Sequence, residues 1–308
     1  MENYIKQIKE IREKTGWSQD QLAKELGVTF ATINRWLNKH TRPHPSHLKL
    51  IDKVFEGIIG IKPVPKEEIR QLIKKIQSLK NRFKGVRRRI SEDRDLLEDF
   101  LIELTYNTNA IEGSRMSRAD TKAIIQDKSL IKDRTLFEHL EVKNHESVLR
   151  KILTGEIRGP VSEGLILELH SQLMQGLIDD AGSYRKNWIK ITGVDLVLPA
   201  PLDIKEEMAD FMKRLNRNGS NTLEHIAKMH YEFEAIHPFS DGNGRIGRII
   251  IAIMLLDKDF APAIIKIEDR NRYYEVLNYA NKKEESYLVK FVLEGILTGY
   301  KLLKLRQP

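Results

Sequence analysis

One short stretch of the sequence places a potential base and a potential metal ligand close together. It runs His-Pro-Phe-Ser-Asp-Gly-Asn-Gly-Arg-Ile-Gly-Arg over residues 237–248, between two strongly apolar segments. His237 can act as a general base near neutral pH. Asp241 offers the hard oxygen ligand that Mg²⁺ prefers, usually in company with phosphate oxygens. A histidine and an aspartate four residues apart could also form a metal pair by themselves, but a nearby third ligand is not obvious from the sequence.

The second half of this stretch has the composition of an anion site. Gly242 and Gly244 allow the backbone to approach a ligand closely, and with Asn243 they lie where the next helix should begin. Free N–H groups at the start of a helix bind anions. Arg245 and Arg248 are three residues apart, so they share a helix face and can hold phosphates. A glycine-rich loop alone would be weak evidence, but the combination predicts a nucleotide-phosphate site.

These residues match the pattern HPFx[D/E]GNGRxxR at every specified position, so the chain resembles Fic proteins over roughly residues 96–291. The resemblance implies an all-α Fic-type domain that transfers AMP from ATP and Mg²⁺ to a Ser, Thr or Tyr hydroxyl of a target protein, and to itself. His237 would take the hydroxyl proton and Asp241 would hold Mg²⁺. Charge on the phosphates would be stabilised by Gly242, Asn243, Gly244, Arg245 and Arg248. Gly244 favours AMP transfer over phosphorylation, because phosphorylating relatives carry Lys there. Transfer of UMP or GMP stays open.

Two further segments extend the resemblance. Residues 188–198 are rich in β-forming side chains around a Gly-containing turn, and they predict a small β-hairpin. In Fic proteins such a flap docks the target as an added strand. The nucleotide is expected to contact Ile189, Lys190, Ile191 and Thr192 of this flap, and the adenosine to contact Tyr273, Tyr274 and Asn281. Core packing explains the two tyrosines equally well, and His230 is interpreted as a structural histidine.

A third segment resembles the inhibitory pattern [S/T]xxxE[G/N] of self-inhibited Fic proteins. It begins at Thr108 and places Glu112 four residues later, on the same face of a helix predicted near residues 105–113. Gly113 suits the position that follows a helix end. A carboxylate of Glu112 set against Arg248 would occupy the cation meant for the γ-phosphate. The alternative is an ordinary helix end, because the pattern is short.

The first 60 residues have a different pattern. Apolar spacing predicts helices separated by a tight turn at Gly27, and the stretch resembles Cro/repressor-like helix-turn-helix proteins. In that family the third helix enters the major groove of DNA. The residues expected to face bases are Phe30, Ala31, Asn34 and Arg35. The alternative is a helical module for protein contacts. A second function therefore stays open, that of a DNA-binding transcriptional regulator whose Fic domain senses nucleotide.

The composition and the remaining patterns set the wider frame. The 308 residues carry a net charge of +8 and no cysteine, which excludes disulfides and thiolate chemistry. We expect a cytoplasmic protein with no signal peptide and no membrane partner. Heptad spacing over residues 69–90 favours either a coiled-coil seam, hence a homodimer, or packing on the following domain. The predicted domains are residues 1–60, a linker and heptad helix over 61–95, and a Fic-type domain over 96–308.

Overall fold

The structure, a computed structural model, describes residues 3–60, 63–191, 196–217 and 222–305. Within these ranges the regular elements are α-helices and one 3₁₀ turn, Ile267–Asp269, with no strand. Two compact units divide the chain, Met1–Pro63 and Val64–Pro308. The helices are α1 (Asn3–Thr15), α2 (Gln19–Glu25), α3 (Phe30–Leu37), α4 (Pro45–Ile59), α5 (Lys66–Arg82), α6 (Val86–Glu92), α7 (Arg94–Ile111), α8 (Arg118–Gln126), α9 (Leu136–Thr154), α10 (Glu163–Leu173), α11 (Ile204–Leu215), α12 (Leu223–Ile236), α13 (Asn243–Asp257), α14 (Arg270–Asn281) and α15 (Ser286–Leu305).

The first unit is a four-helix module whose local signals match its helix ends. Ser18 and Gln21 form the predicted capping box at the start of α2, and Thr29 caps α3 by accepting from the Thr32 amide. The helices α2 and α3 pack against each other, and α1 packs against α4. Ile33 and Trp36 of α3 are buried in this core, so the opposite face of α3 is left exposed.

The second unit is built around α13. Every residue from Ile249 to Leu256 is buried, as the continuously apolar sequence predicts for a central helix. The helix packs on α12 and is also contacted by α7, α9 and α10. The turn that carries the signature residues is therefore held between two helices that cannot shift without disturbing the core.

The heptad-patterned segment belongs to the second unit and does not form a separate linker. Ile69, Ile76 and Leu79 of α5 are buried, and α5 packs on α15. Gly85 takes a left-handed conformation, with φ 72°, in the turn between α5 and α6, and α6 begins directly after it. Asp259 accepts hydrogen bonds from the Gly85 and Val86 amides at 2.9 and 2.7 Å. The seam is thus used within the chain, which is the second of the two alternatives.

The predicted β-hairpin at residues 188–198 is not supported. The described parts on either side of residues 192–195 contain no strand, and residues 192–195 lie outside the described ranges. The carbonyls of Asn187 and Pro199 accept from the Arg185 guanidinium, at 3.1 and 2.9 Å. The two residues that flank this segment are thus held by one side chain. Trp188 and Val197 remain 69% and 94% exposed, so the β-rich composition is not explained by burial in this unit.

Candidate active site

The signature turn has a tightly determined backbone. At the end of α12, His237 adopts φ 49° and ψ 60°, a left-handed conformation that histidine tolerates better than most residues. Gly242, with φ 79°, precedes α13, and a Cβ there would lie 2.8 Å from the sulfur of Met174. The side chain of Asn243 is buried and bonds to both backbone groups of Phe239, at 2.9 and 2.8 Å. The amide of Asn243 therefore holds the turn itself.

The start of α13 is suited to an anion. Its N-cap is Gly242, and no side chain satisfies the first N–H groups of the helix. The positive end of the helix dipole lies at the same place. Gly242, Asn243 and Gly244, the residues predicted to hold phosphate groups, lie at this end of the helix.

His237 is placed to act as a base through one defined nitrogen. Its Nδ1 lies 3.1 Å from the carbonyl oxygen of Glu234, so Nδ1 carries the proton and Nε2 is left as the acceptor. Burial lowers the pKa of His237 to about 4, against a smaller opposing effect from the Glu234 carbonyl. The imidazole is therefore neutral near pH 7, which is the form that a general base requires.

Two buried side chains that the sequence did not single out support the turn. His170 is stacked on Phe239 with ring centroids 3.7 Å apart. Its Nδ1 accepts from the Gly182 amide at 2.8 Å, so its Nε2 donates to the Asp241 carbonyl at 3.0 Å. Arg185 donates through Nε to the His237 carbonyl at 2.8 Å. These partners are separated by 71 and 52 residues in the chain, so no local pattern marks them.

A cavity of about 350 Å³ opens on the signature turn, within the size range of small-ligand sites. It brings together most of the predicted site residues, namely His237, Asp241, Gly242, Asn243, Gly244, Ile189, Lys190, Ile191, Tyr273, Tyr274 and Glu112. Its other lining residues, which the sequence did not indicate, are Leu196, Tyr231, Glu234, Ser240, Arg270 and Leu277. Asn281 ends α14 and does not line the cavity. Thr192 lies outside the described residues.

Asp241 fits a magnesium site that is shared with a nucleotide. Its side chain is 62% exposed and lines the cavity, with one carboxylate oxygen 3.4 Å from an Arg245 nitrogen. Among the described residues, no cluster of three or more acidic, His or Cys side chains could hold a metal alone. Mg²⁺ commonly takes one or two carboxylates and completes its shell with phosphate oxygens and water. A single accessible carboxylate beside an anion site meets that requirement.

The two signature arginines have different surroundings. Arg245 is only 2% exposed, and its guanidinium lies 3.1 Å from Glu141 and 3.4 Å from Asp241. Like Arg248, it does not line the cavity. Instead, Arg245 joins the metal-binding candidate Asp241 to α9.

Arg248 is engaged by both residues of the predicted inhibitory pattern. Its Nη2 donates to the carboxylate of Glu112 and its Nε donates to the hydroxyl of Thr108. The side chain of Arg248 is 9% exposed and that of Glu112 is 31% exposed. Glu112 directly follows α7, and its carboxylate lies where a Cβ on Gly244 would collide with it. The carboxylate thus occupies the space beside the start of α13.

Two regions of the chain match models of known protein families. A model described as the Fic/DOC family matches residues 160–255. A second model, described as helix-turn-helix, matches residues 8–57. The chain contains a Fic/DOC domain and a helix-turn-helix domain. The Fic/DOC match includes the signature turn and its two flanking helices, and the second match falls within the first unit.

Relatives of the Fic domain are named for nucleotide transfer. Protein adenylyltransferase Fic of Nematostella vectensis is 34% identical over 193 residues, which are 61% of this chain and 45% of that protein. Protein adenylyltransferase fic-1 of Caenorhabditis elegans is 28% identical over 231 residues, which are 72% of this chain and 45% of that protein. The chain therefore spans less than half the length of these curated relatives.

Solved structures show the same fold. A Fic family protein from Desulfovibrio desulfuricans superposes with a TM-score of 0.67 at 26% identity, covering 80% of this chain and 77% of that one. Fic-1 from C. elegans superposes with a TM-score of 0.66 at 22% identity, covering 96% of this chain and 84% of that one. In the part of the chain that the structure describes, no helix has both the length and the apolar character needed to cross a membrane.

Proposed function

We propose that the protein is an adenylyltransferase that moves AMP from Mg-ATP to a Ser, Thr or Tyr hydroxyl of a target protein, and to itself. One observation carries the proposal: His237, whose Nε2 is left as an acceptor, and the residues at the uncapped start of α13 line a single cavity. A base and an anion site in one cavity suit attack of a hydroxyl on a bound phosphate. The names of the Fic relatives support the same reaction.

The proposed reaction is an in-line displacement at the α-phosphorus. The target hydroxyl oxygen bonds to that phosphorus while the bond to the α,β-bridging oxygen breaks, and pyrophosphate leaves. The hydroxyl proton passes to Nε2 of His237, which is neutral and holds its own proton on Nδ1. The amides at the start of α13 bind the phosphate oxygens. Asp241 would hold Mg²⁺, which supplies charge neutralisation on the phosphates.

The adenosine end of the cavity is proposed to lie between α14 and the segment before residue 192. Tyr274, Leu277 and Ile191 provide aromatic and aliphatic surface there. Tyr273 has a mainly structural part, because it is buried and its hydroxyl lies 2.8 Å from Nε2 of His230. The prediction that His230 is structural is in keeping with this contact.

Glu112 is proposed to act as a brake. Because its carboxylate is paired with Arg248 beside Gly244, the cation proposed for the γ-phosphate is engaged before nucleotide arrives. ATP would then have to displace an ion pair to place its phosphates productively. Removal of the carboxylate should therefore raise the rate of transfer.

The position of the transferred label tests the reaction. The Glu112→Gly protein is incubated with target-containing lysate and with ATP labelled at either the α- or the γ-phosphate. Label from the α position, but not from the γ position, should appear on protein, and mass spectrometry should find AMP on a hydroxyl side chain. Transfer of the γ label would instead make the protein a kinase, and absence of both labels would overturn the proposal. His237→Ala in the same background is the control.

A second function, DNA binding by the first unit, is favoured by the surface of α3. Ile33 and Trp36 face the core, whereas the predicted base-contacting residues Phe30, Ala31, Asn34 and Arg35 are all exposed. Phe30 is 50% exposed, so its ring is available for contact. The full-length chain should therefore retard duplex DNA in a gel, and the retardation should weaken as salt is added. The retardation should be weaker with Arg35→Ala than with the control variant Lys49→Ala on α4. Equal shifts by both variants would exclude α3 as the reader.

A further inference from the structure

Glu234 lies between the proposed base and the proposed brake, and the mechanism above does not use it. It is located on α12, one turn before His237, and is only 6% exposed. One carboxylate oxygen lies 3.7 Å from Nδ1 of His237, and the other lies 3.4 Å from the Tyr273 hydroxyl. The same hydroxyl is 3.5 Å from a nitrogen of Arg248. A buried acid thus lines the cavity with the base on one side and the cation of the brake on the other.

The fold makes room for this acid. A Cβ at position 247 would lie 2.8 Å from a carboxylate oxygen of Glu234 and 3.1 Å from Nδ1 of His230, so a larger residue there would displace the carboxylate. Gly247 is one of the three unspecified positions of the signature, and in this chain it lies opposite the carboxylate of Glu234. A carboxyl group that is buried in a cleft beside a base, and for which the neighbouring helix leaves space, is a candidate for a functional role.

The charged and titratable groups around Glu234 come from four elements. They are His230 on α12, His237 directly after α12, Arg248 on α13, Tyr273 on α14, and Glu112 directly after α7. Burial holds the pKa of His230 at about 3, so that ring is neutral. Arg248 is therefore the permanent cation of this group, and two carboxylates, Glu112 and Glu234, face it.

We propose that Glu234 is a positioning residue that presents its carboxylate to Nδ1 of His237, and that the charge of Glu112 controls how fully that carboxylate is ionised. The effect of Glu234 on catalysis rests on the adenylyltransferase function proposed above. When His237 takes a proton from the target hydroxyl, the ring becomes an imidazolium. A carboxylate 3.7 Å from Nδ1 lies within ion-pair distance of that cation and stabilises it.

The brake would then act at two places. Burial, opposed by Arg248 and reinforced by Glu112, raises the pKa of Glu234 to about 7. At neutral pH a large fraction of Glu234 is protonated in this state and offers the imidazolium little stabilisation. Removing the charge of Glu112 removes the like-charge repulsion, which lowers the pKa of Glu234 and increases its ionised fraction. The charge of Glu112 itself raises the pKa of His237, so any restraint of the base by Glu112 acts through Glu234.

The first experiment is independent of catalysis. Carboxyl carbons of glutamate are labelled with ¹³C in the full-length protein, and the resonance that is missing in Glu234→Gln is followed against pH. It should titrate near pH 7 in the wild type and about one pH unit lower in Glu112→Gln, which keeps the size of the side chain but not its charge. Identical titrations in the two proteins would overturn the coupling, whether or not the protein transfers AMP.

The second experiment tests the effect on His237 in the Glu112→Gly background. The kcat of the Glu112→Gly enzyme should rise with pH as Glu234 ionises. Adding Glu234→Gln should remove that rise and lower kcat about tenfold, with KM for ATP unchanged. Glu234→Asp should keep the rise at an intermediate rate. The matched control is Glu232→Gln, because Glu232 lies on the same helix and pairs with Arg214. A Glu234→Gln enzyme with the control's kcat and pH profile would overturn the positioning role, whereas an inactive Glu112→Gly parent would count against the proposed function alone.

Discussion

The rate gained by substituting Glu112 should depend on how much of the interaction between position 112 and Arg248 remains. Glu112→Gly removes both the carboxylate and the hydrogen bond to Arg248, whereas Glu112→Gln removes the charge and keeps a hydrogen-bond acceptor. We expect AMP incorporation to rise in the order wild type, Gln, Gly. The order follows from how much of the interaction with Arg248 survives in each protein.

The size of the effect follows from the surroundings of the ion pair. Opposite unit charges in contact attract by about 4 kcal/mol at the effective dielectric of a protein surface. The side chain of Glu112 is 31% exposed, so solvent screening and desolvation reduce the net value to about 2–3 kcal/mol. A tenfold change corresponds to about 1.4 kcal/mol, so Glu112→Gly should raise the rate about 30- to 150-fold. Glu112→Gln should give about the square root of that gain, roughly 5- to 12-fold.

The assay measures the initial rate of α-label incorporation at saturating Mg-ATP, with equal amounts of folded protein confirmed by thermal melting. The matched control is Glu103→Gln, because Glu103 lies on the same helix but pairs with Arg118 at 2.6 Å, away from Arg248. The control should keep the wild-type rate. If both substitutions at position 112 stayed within twofold of the wild type, the ion pair would have no inhibitory role.

Three further outcomes are expected. His237→Ala should lower AMP transfer about 10²- to 10⁴-fold while ATP still binds by calorimetry; retained transfer would show that another group is the base. Burial lowers the pKa of His145 to about 3, so the unfolded chain binds the proton first and stability falls from pH 6.5 toward pH 3, by about 1.4 kcal/mol per pH unit; urea melts should show a shallower loss in His145→Gln, and equal slopes would contradict the assignment. Gly299→Ala should lower the free energy of unfolding by about 2–3 kcal/mol, because the added methyl group would overlap the Pro262 carbonyl. Gly164→Ala has open space around it and should raise the free energy of unfolding by up to about 1 kcal/mol. Comparable melting temperatures for the two variants would refute this contrast.

Several turns, caps and helix faces depend only on residues that are close together in the sequence, so they could be predicted from the sequence. The signature turn needs glycine at position 242 and a helix start after it, and both requirements are met within a few residues. The capping box of Ser18 and the apolar run of α13 are local in the same sense. The pairing of Thr108 and Glu112 on one face also follows from helical spacing alone. Local spacing therefore suffices to find the candidate base, the candidate anion site and the exposed face of α3.

The tertiary structure decided what depends on contacts between distant segments. The heptad spacing of α5 allowed two packing partners, and only the fold shows that α15 occupies the seam. Arg245 and Arg248 are equivalent in the sequence, yet one faces Glu141 and the other faces Glu112, because α9 and α7 bring those carboxylates to different sides of α13. The carbonyl partners of Arg185 likewise come from separate segments. Burial is a property of the assembled core, so the pKa values of the buried histidines and of Glu234 could not follow from spacing along the chain.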